Sequence, residues 1–332
     1  MSINKKASVL FLICFALFMA LSIVLLPAIA KTEEQQYLFN SLFVSIPAFF
    51  IPTFIFRRKH RFPKLRAPRF THVLLAAVAG IGCIFLNEAL YFLNETGFFG
   101  IEIKSASTSA ASIMGMNTFL MIISLALIPP VTEEYLMRGT LLEIWRRTSP
   151  IGAALLTALL FALLHAAPSA FIIYFGMGIL FAFIYLITRN MFLTMIIHLI
   201  NNLSSVVIAA LQGNASAAAE GPAAEAAVQL EQLMSTRAGC FDLFFTYAIY
   251  AALFITPAIM LLHYSCKKRG LGKFAPEEPI GGELVGTTCE IVPEPVNKES
   301  LWRDPILWVT IGLLVILNVF SALREFGVLK LD

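Results

Sequence analysis

Nine long apolar stretches divide this sequence, and each is close to the length that a helix needs to cross a bilayer. They cover about residues 7–29, 38–56, 71–93, 112–130, 151–167, 169–187, 191–211, 240–264 and 305–323. A spanning helix needs roughly 20 apolar residues, and backbone polar groups must be paired within the segment itself in hydrocarbon. The sequence therefore predicts an all-α, polytopic membrane bundle of about nine helices, within a range of eight to ten.

The composition agrees with this class of fold. Hydrophobic residues make up 58% of the 332 residues and charged residues only 14%, far from the balance of a soluble domain. Lys5 and Lys6 precede the first stretch, and Ala28-Ile29-Ala30 near its end resembles a signal-peptide cleavage site. The apolar run is longer than a typical signal core, so we expect an anchor that stays in the membrane.

Basic residues concentrate in the segments that a cytoplasmic N-terminus would place inside the cell. Large groups run from Arg57 to Arg69 and from Lys267 to Arg303. Since cytoplasmic loops carry an excess of Lys and Arg, we predict a cytoplasmic N-terminus and a multi-pass protein of the plasma membrane. The net charge is +3, and the basic residues are distributed according to the predicted side of the membrane rather than gathered in one patch. Nucleic-acid binding is therefore disfavoured, and the lipid bilayer is the expected surrounding.

Four segments follow from the pattern of apolar and polar stretches. Residues 1–111 hold N-terminal helices and loops, 112–211 a core that carries the polar motifs, 212–238 an outer Ala-rich loop, and 239–332 C-terminal helices with a cytoplasmic linker at 266–304. The five cysteines are scattered without a C-x-x-C spacing. We expect neither a disulfide framework nor a cysteine metal cage. The oligomeric state is not indicated.

Two adjacent carboxylates, Glu133 and Glu134, stand at the inner end of the fourth stretch. The preceding Pro129-Pro130 cannot continue a helix smoothly, because proline lacks the backbone donor and clashes with the previous turn. We therefore predict that a new helix begins after them, with Thr132 as its N-cap and both carboxylates in its first turn.

The side chains of these two glutamates face in different directions on such a helix. Glu134 and Arg138 are four residues apart, so they can form an ion pair on one face. Glu133 points about 100° away and stays available as a base. Carboxylates and cations in hydrocarbon are costly, so their default interpretation is functional.

Two later stretches add the remaining polar side chains. Phe161 and His165 lie four residues apart in one stretch, and His198 and Asn202 lie four apart in another. At 1.5 Å per residue, Glu133, His165 and His198 can all lie within one layer of the bundle, about 13 to 22 Å from the cytoplasmic ends of their helices. A shared site is therefore geometrically possible.

Two kinds of chemistry fit these residue types. A carboxylate and an imidazole can deprotonate a shared water for attack on an amide, which suits Glu133 and His165. A second imidazole and a carboxamide can donate hydrogen bonds to the oxyanion, which suits His198 and Asn202. Alternatively, His165, His198 and Glu133 could bind Zn²⁺ and leave one position for water. The spacing alone does not choose between them.

The three motifs, Glu133-Glu134-x-x-x-Arg138, Phe161-x-x-x-His165 and His198-x-x-x-Asn202, resemble those of the CPBP family of intramembrane proteases. This family includes CAAX proteases and bacteriocin-processing proteins, and is also called Abi or Rce1-like. The resemblance covers roughly residues 112–210. It implies a CAAX-type endopeptidase that acts on a membrane-associated or lipidated peptide.

The resemblance also implies roles for the motif residues. Glu133 and His165 would activate water, His198 and Asn202 would form the oxyanion site, and Glu134, Arg138 and Phe161 would support them. Family members are called metallopeptidases or glutamate peptidases, and we favour the mechanism without a metal. Eukaryotic members trim prenylated proteins, whereas bacterial members are associated with bacteriocin maturation or immunity.

Two other function classes remain open at this stage. A noncatalytic immunity or scaffold protein could bind a peptide in the same cavity. A secondary transporter could use the intramembrane carboxylates, but the sequence contains no detectable internal repeat of the kind found in many transporters.

Overall fold

Nine helices form the part of the chain that the computed structural model describes, which is residues 2–97, 116–215, 229–230, 232–274, 280, 284–285, 290–291 and 301–325. They are α1 Ile3–Ile29, α2 Glu33–Lys59, α3 Phe70–Glu95, α4 Thr118–Trp145, α5 Pro150–Leu164, α6 Pro168–Thr188, α7 Met191–Ala215, α8 Arg237–Lys268 and α9 Pro305–Glu325. Two strands of two residues each, β1 Leu284–Val285 and β2 Glu290–Ile291, pair antiparallel.

Eight of these helices are long and apolar enough to cross a membrane. The protein is a multi-pass helical membrane protein, which confirms the predicted class of fold. The remaining predicted span, residues 151–167 and fifth in chain order, corresponds to α5. This helix has only 15 residues and is shorter than a full crossing requires. Its N-cap is Ser149, whose hydroxyl accepts a hydrogen bond from the Gly152 amide at 3.2 Å, and the helix ends just before His165.

The paired prolines do not break α4, so the predicted helix start was wrong. The helix runs through Pro129 and Pro130, with π-helical turns at Ile122–Leu127 and Met137–Leu142. Thr132 is not an N-cap: its hydroxyl bonds back to the carbonyls of Ile128 and Pro129 at 3.2 and 3.1 Å. The π-helical turn before the prolines accommodates them by widening the helix. Both glutamates consequently lie inside the helix rather than in its first turn.

Two packed regions hold the bundle together. One joins α1, α2, α4 and α5 around large side chains such as Phe11, Trp145 and Leu156. The other joins α3, α6, α7 and α8, including Phe181 and Ile184. The polar motifs lie on α4, α5 and α7, and α6 contacts all three of these helices.

The predicted segment boundaries shift slightly where the structure describes them. Helix α8 begins at Arg237, inside the predicted outer loop of residues 212–238, and continues to Lys268, inside the predicted linker of 266–304. Most of the Ala-rich loop and of the linker lies outside the described residues. The division into four segments stays a prediction.

Candidate active site

A buried ion pair lies at the centre of α4. Arg138 donates to Glu134 Oε1 at 2.8 Å, and both side chains are completely buried. This confirms the pairing that the spacing predicted. Arg138 also donates to the Gly178 carbonyl on α6 at 3.1 Å, and its guanidinium lies over the rings of Phe161 and Phe181 at 4.8 and 5.3 Å. The arginine therefore joins α4 to α5 and α6 while it neutralises Glu134.

His198 on α7 lies between the two glutamates. Its Nδ1 is 3.2 Å from Glu134 Oε1, and its Nε2 is 4.0 Å from Glu133 Oε2. Because Glu134 is an ionised acceptor beside Arg138, Nδ1 of His198 must donate to it. In the neutral ring, Nε2 then presents a lone pair toward Glu133. The ring is held from the sides by Phe181, stacked at 5.1 Å, and Phe161, edge-on at 5.9 Å.

Glu133 differs from Glu134 in its exposure and in its partners. Its side chain is 16% exposed, against 0% for Glu134. Oε2 has no hydrogen-bond partner among the described residues in either glutamate, but Oε1 of Glu134 contacts Arg138 and His198. Glu133 Oε2 is therefore an acceptor, 4.0 Å from a ring nitrogen, that no described donor uses.

His165 follows the last residue of α5, and its ring orientation is fixed by its own helix. Its Nδ1 is 2.8 Å from the Phe161 carbonyl, which can only accept, so Nδ1 donates and Nε2 carries the lone pair. The ring stacks on Tyr174 of α6 with centroids 3.8 Å apart. His165 also interacts electrostatically with Glu133 and His198. Tyr174 was not anticipated from the sequence, because an aromatic residue in an apolar stretch gives no distinct signal.

Truncating Tyr174 is expected to misorient His165. A Tyr174→Leu variant loses the stacked pair, which is worth about 0.5 to 1.5 kcal/mol, so we expect turnover to fall by roughly 3- to 10-fold. The matched Tyr174→Phe variant keeps the ring and should retain most of the rate. The measurement is the initial rate of peptide cleavage, the activity that the motif resemblance predicts. Equal losses in the two variants would show that the hydroxyl matters rather than the stack.

Asn202 satisfies a carbonyl that the prolines leave without a donor. Its amide nitrogen donates to the Leu125 carbonyl at 3.0 Å. Leu125 lies four residues before Pro129 and five before Pro130, so neither an α-helical nor a π-helical bond can reach its oxygen. The neighbouring Asn201 donates to Asn202 Oδ1 at 3.4 Å. One amide hydrogen of Asn202 is therefore used for structure and the other remains.

An Asn202→Ala variant is expected to lose about 1 kcal/mol of unfolding free energy, because a carbonyl in the bundle loses its donor. Detergent-induced unfolding in mixed micelles measures the change. Asn201→Ala serves as the control on the same helix. It should lower the unfolding free energy by less, because the Asn201 Oδ1 has no partner among the described residues. A smaller loss for Asn202→Ala than for Asn201→Ala would contradict the assigned bond.

Helices outside the motifs hold the segment around His165. On α9, Asn318 donates to the Leu163 carbonyl at 2.8 Å and Ser321 to the Ala166 carbonyl at 2.6 Å. On α3, Asn94 donates to the Ser169 carbonyl at 2.7 Å. Ala166 itself has φ of 47°, a left-handed conformation that non-glycine residues adopt rarely. These three donors stabilise the turn that places His165.

The site contains side-chain atoms of the kind that bind a metal ion. The Nε2 lone pairs of His165 and His198 and the Glu133 carboxylate have the right chemistry for zinc. Among the described residues, however, no group of three His, Cys, Asp or Glu side chains is arranged to hold a metal ion. The arrangement does not fit a three-ligand site, and we derive no step through a metal.

Comparison with known proteins agrees with the arrangement of the motifs. Residues 115–204, which contain all three motifs, match the family described as "Type II CAAX prenyl endopeptidase Rce1-like". This segment is thus similar to Rce1-like domains. The family resemblance predicted from the motifs is thereby confirmed for this part of the chain.

Two curated relatives cover the same part of the chain. The "Putative membrane peptidase YdiL" of Bacillus subtilis (strain 168) is 27% identical over 136 residues, which is 41% of this chain and 56% of the relative. The "Membrane-embedded CAAX protease MroQ" of Staphylococcus aureus (strain USA300) is 25% identical over 138 residues, 40% of this chain and 56% of the relative. The chain thus spans about half the length of these relatives. No solved structure matches it significantly.

Proposed function

We propose that this protein is a CAAX-type intramembrane endopeptidase that hydrolyses a peptide bond in a membrane-associated or lipidated substrate. The observation that carries the proposal is a partly exposed Glu133 with an unpartnered oxygen, 4.0 Å from His198 Nε2 and close to His165. The Rce1-like segment and the names of the two relatives support the same activity.

In this proposal Glu133 is the general base. A water bound between Glu133 and the Nε2 atom of His165 would give its proton to the carboxylate and attack the amide carbonyl. Glu133 would then return that proton to the leaving amine nitrogen as the C–N bond breaks. Both acceptors suit this role, since among the described residues Glu133 forms no ion pair with an arginine or lysine and His165 presents a lone pair. General-base catalysis of this kind contributes roughly 10²- to 10⁴-fold to a rate.

His198 and Asn202 are the proposed oxyanion donors. Because His198 Nδ1 already donates to Glu134, the ring must be protonated at both nitrogens to donate from Nε2. Asn202 contributes the amide hydrogen that it does not use on Leu125. Glu134, Arg138 and Phe161 act indirectly, by positioning the His198 ring.

The proposed mechanism uses no metal ion. The support is the donor arrangement described above, in which Glu133, His165 and His198 do not form a three-ligand set. Cleavage that survives exhaustive chelation, with substoichiometric metal in the purified protein, is the expected result. Loss of activity on chelation and its recovery with added zinc would overturn this part of the proposal.

The substrate class and the location belong to the same proposal. The chain lies in a bilayer, which in a bacterium is the plasma membrane, and the site lies among helices, so a substrate must reach it from the membrane or its surface. Peptides from membranes containing the active protein or a Glu133→Gln variant can be compared by mass spectrometry. Pairs of new termini that appear only with the active protein would identify the cleavage site.

The same comparison separates proteolysis from a noncatalytic binding role. Reconstituted protein should cleave the identified peptide in liposomes without other proteins. A Glu133→Gln/His165→Ala double variant that preserves the cellular phenotype of the active protein, with no differential termini, would favour an immunity or scaffold protein instead.

A further inference from the structure

A cavity lies on the side of the bundle that the basic residues predict to be cytoplasmic. It encloses about 320 Å³ between the segment that links α2 to α3, the ends of α4 and α6, and the start of α7. Five cationic side chains line it, against the single carboxylate of Glu143; the cations are Arg57, Lys64, Arg66, Arg69 and Arg189. The cavity is strongly positive and is separate from the Glu133 site.

Arg57 is the buried cation of this cavity. Only 8% of the residue is exposed. Its guanidinium donates to the Gly139 carbonyl, to the Thr140 hydroxyl at 3.5 Å and to the Pro63 carbonyl at 3.4 Å. These acceptors are all neutral, and within the described chain Arg57 forms no ion pair. A buried charge without a counter-charge is costly, so a bound anion would stabilise this arrangement.

Glu143 acts on Arg57 electrostatically but forms no ion pair with it, and its charge is shared with three other arginines. Arg146 donates to both of its oxygens, at 2.6 and 2.8 Å, and Arg147 and Arg189 each approach Oε1 at 3.2 Å. The Tyr185 hydroxyl donates to Oε2 at 2.8 Å. This wall of the cavity therefore carries an excess of positive charge even with its carboxylate ionised.

The wall formed by the α2–α3 segment is held in place. Phe62 packs under the Arg57 guanidinium, with its ring centroid 4.4 Å from Cζ. At the other end, Asn190 donates to the Arg66 carbonyl at 3.0 Å. Lys64 and Arg69 are exposed on this wall, and so are two apolar side chains, Leu65 at 44% and Phe70 at 75%. A positive cavity thus adjoins an apolar surface at the edge of the bundle.

We propose that this cavity binds a phosphate group, and that its source is the headgroup of an anionic phospholipid. Guanidinium groups match phosphate oxygens in charge and geometry. Basic pockets between membrane helices on the cytoplasmic side suit such headgroups. In this proposal the exposed side chains of Leu65 and Phe70 contact the acyl chains of the bound lipid. The inference does not depend on proteolysis.

Titration of the full-length protein in neutral detergent with short-chain phosphatidylglycerol tests the proposal. Binding should saturate at one lipid per chain, and short-chain phosphatidylcholine should bind at least 10-fold more weakly. The Lys64→Gln/Arg69→Gln variant should bind phosphatidylglycerol roughly 30-fold more weakly, from about 1 kcal/mol for each cation. Both substitutions are at exposed positions, so elution profile and unfolding midpoint should be unchanged.

The matched control is Arg58→Gln/Lys59→Gln, which removes one Arg and one Lys from exposed positions of α2 outside the cavity. Its affinity should stay within 3-fold of the unmodified protein. Equal losses in the two double variants, or no saturable binding of any phosphate compound, would overturn the site. Glycerol 3-phosphate tests the source: binding as tight as that of the lipid would keep the phosphate site and overturn the lipid assignment.

Discussion

A Glu133→Gln variant is expected to lose roughly 10²- to 10⁴-fold in cleavage rate, because the amide cannot take a proton from the attacking water. Gln has almost the same volume and Glu133 is not part of the buried ion pair, so the free energy of unfolding should change by less than about 1 kcal/mol. Single-turnover cleavage of an identified peptide in liposomes measures the rate, and detergent-induced unfolding measures the stability.

Glu88→Gln is the matched control for this loss. Glu88 is another glutamate within a spanning helix, α3, and is only partly buried. It takes part in none of the hydrogen bonds described above for the motif side chains. Its substitution should leave the rate within about 3-fold. Full activity in Glu133→Gln would remove Glu133 from the role of base, and an equal loss in Glu88→Gln would show that the assay does not discriminate between the two.

An Arg138→Met variant is expected to destabilise the protein by about 3 to 5 kcal/mol. The substitution leaves the Glu134 carboxylate fully buried without its cation. It also removes the bond to the Gly178 carbonyl. Unfolding in mixed micelles measures the loss, and activity should fall with it because His198 is oriented through Glu134.

Two further variants show whether the buried charge causes that loss. Glu134→Gln/Arg138→Met removes both charges, so it should recover a large part of the stability that Arg138→Met loses. Arg58→Met removes an arginine from an exposed position and should change stability by less than about 0.5 kcal/mol. If Arg138→Met cost no more than Arg58→Met, the assigned role of the ion pair would be wrong.

Local spacing was sufficient to predict the features that depend on one helix. The four-residue interval between Glu134 and Arg138 predicts their pairing, since side chains at that interval face each other in a helix. The same reasoning failed at Pro129-Pro130. A break is the expected result in a regular α-helix, whereas the π-helical turn before the prolines lets α4 continue. Sequence spacing does not show which of these two solutions a helix adopts.

Contacts between distant helices were not predictable in this way. Asn318 and Ser321 bond to carbonyls beside His165 from 155 residues away, and no motif marks them. The roles of Tyr174 and Arg57 were not predictable either. Tyr174 lies in an apolar stretch, and Arg57 lies in a basic group that the sequence explains by membrane orientation. Their roles depend on which helices become neighbours, and that is decided by packing across the whole bundle.

The bond from Asn202 to the Leu125 carbonyl has a mechanical consequence. Helices surrounded by lipid can slide past one another when only apolar side chains meet. Here α7 contacts α4 at two heights, through Asn202 on Leu125 and through His198 on Glu134. Sliding α7 by even one residue would break both contacts and leave a bare carbonyl in hydrocarbon. The paired prolines therefore set the axial register of α7, and that register keeps the imidazole level with both carboxylates.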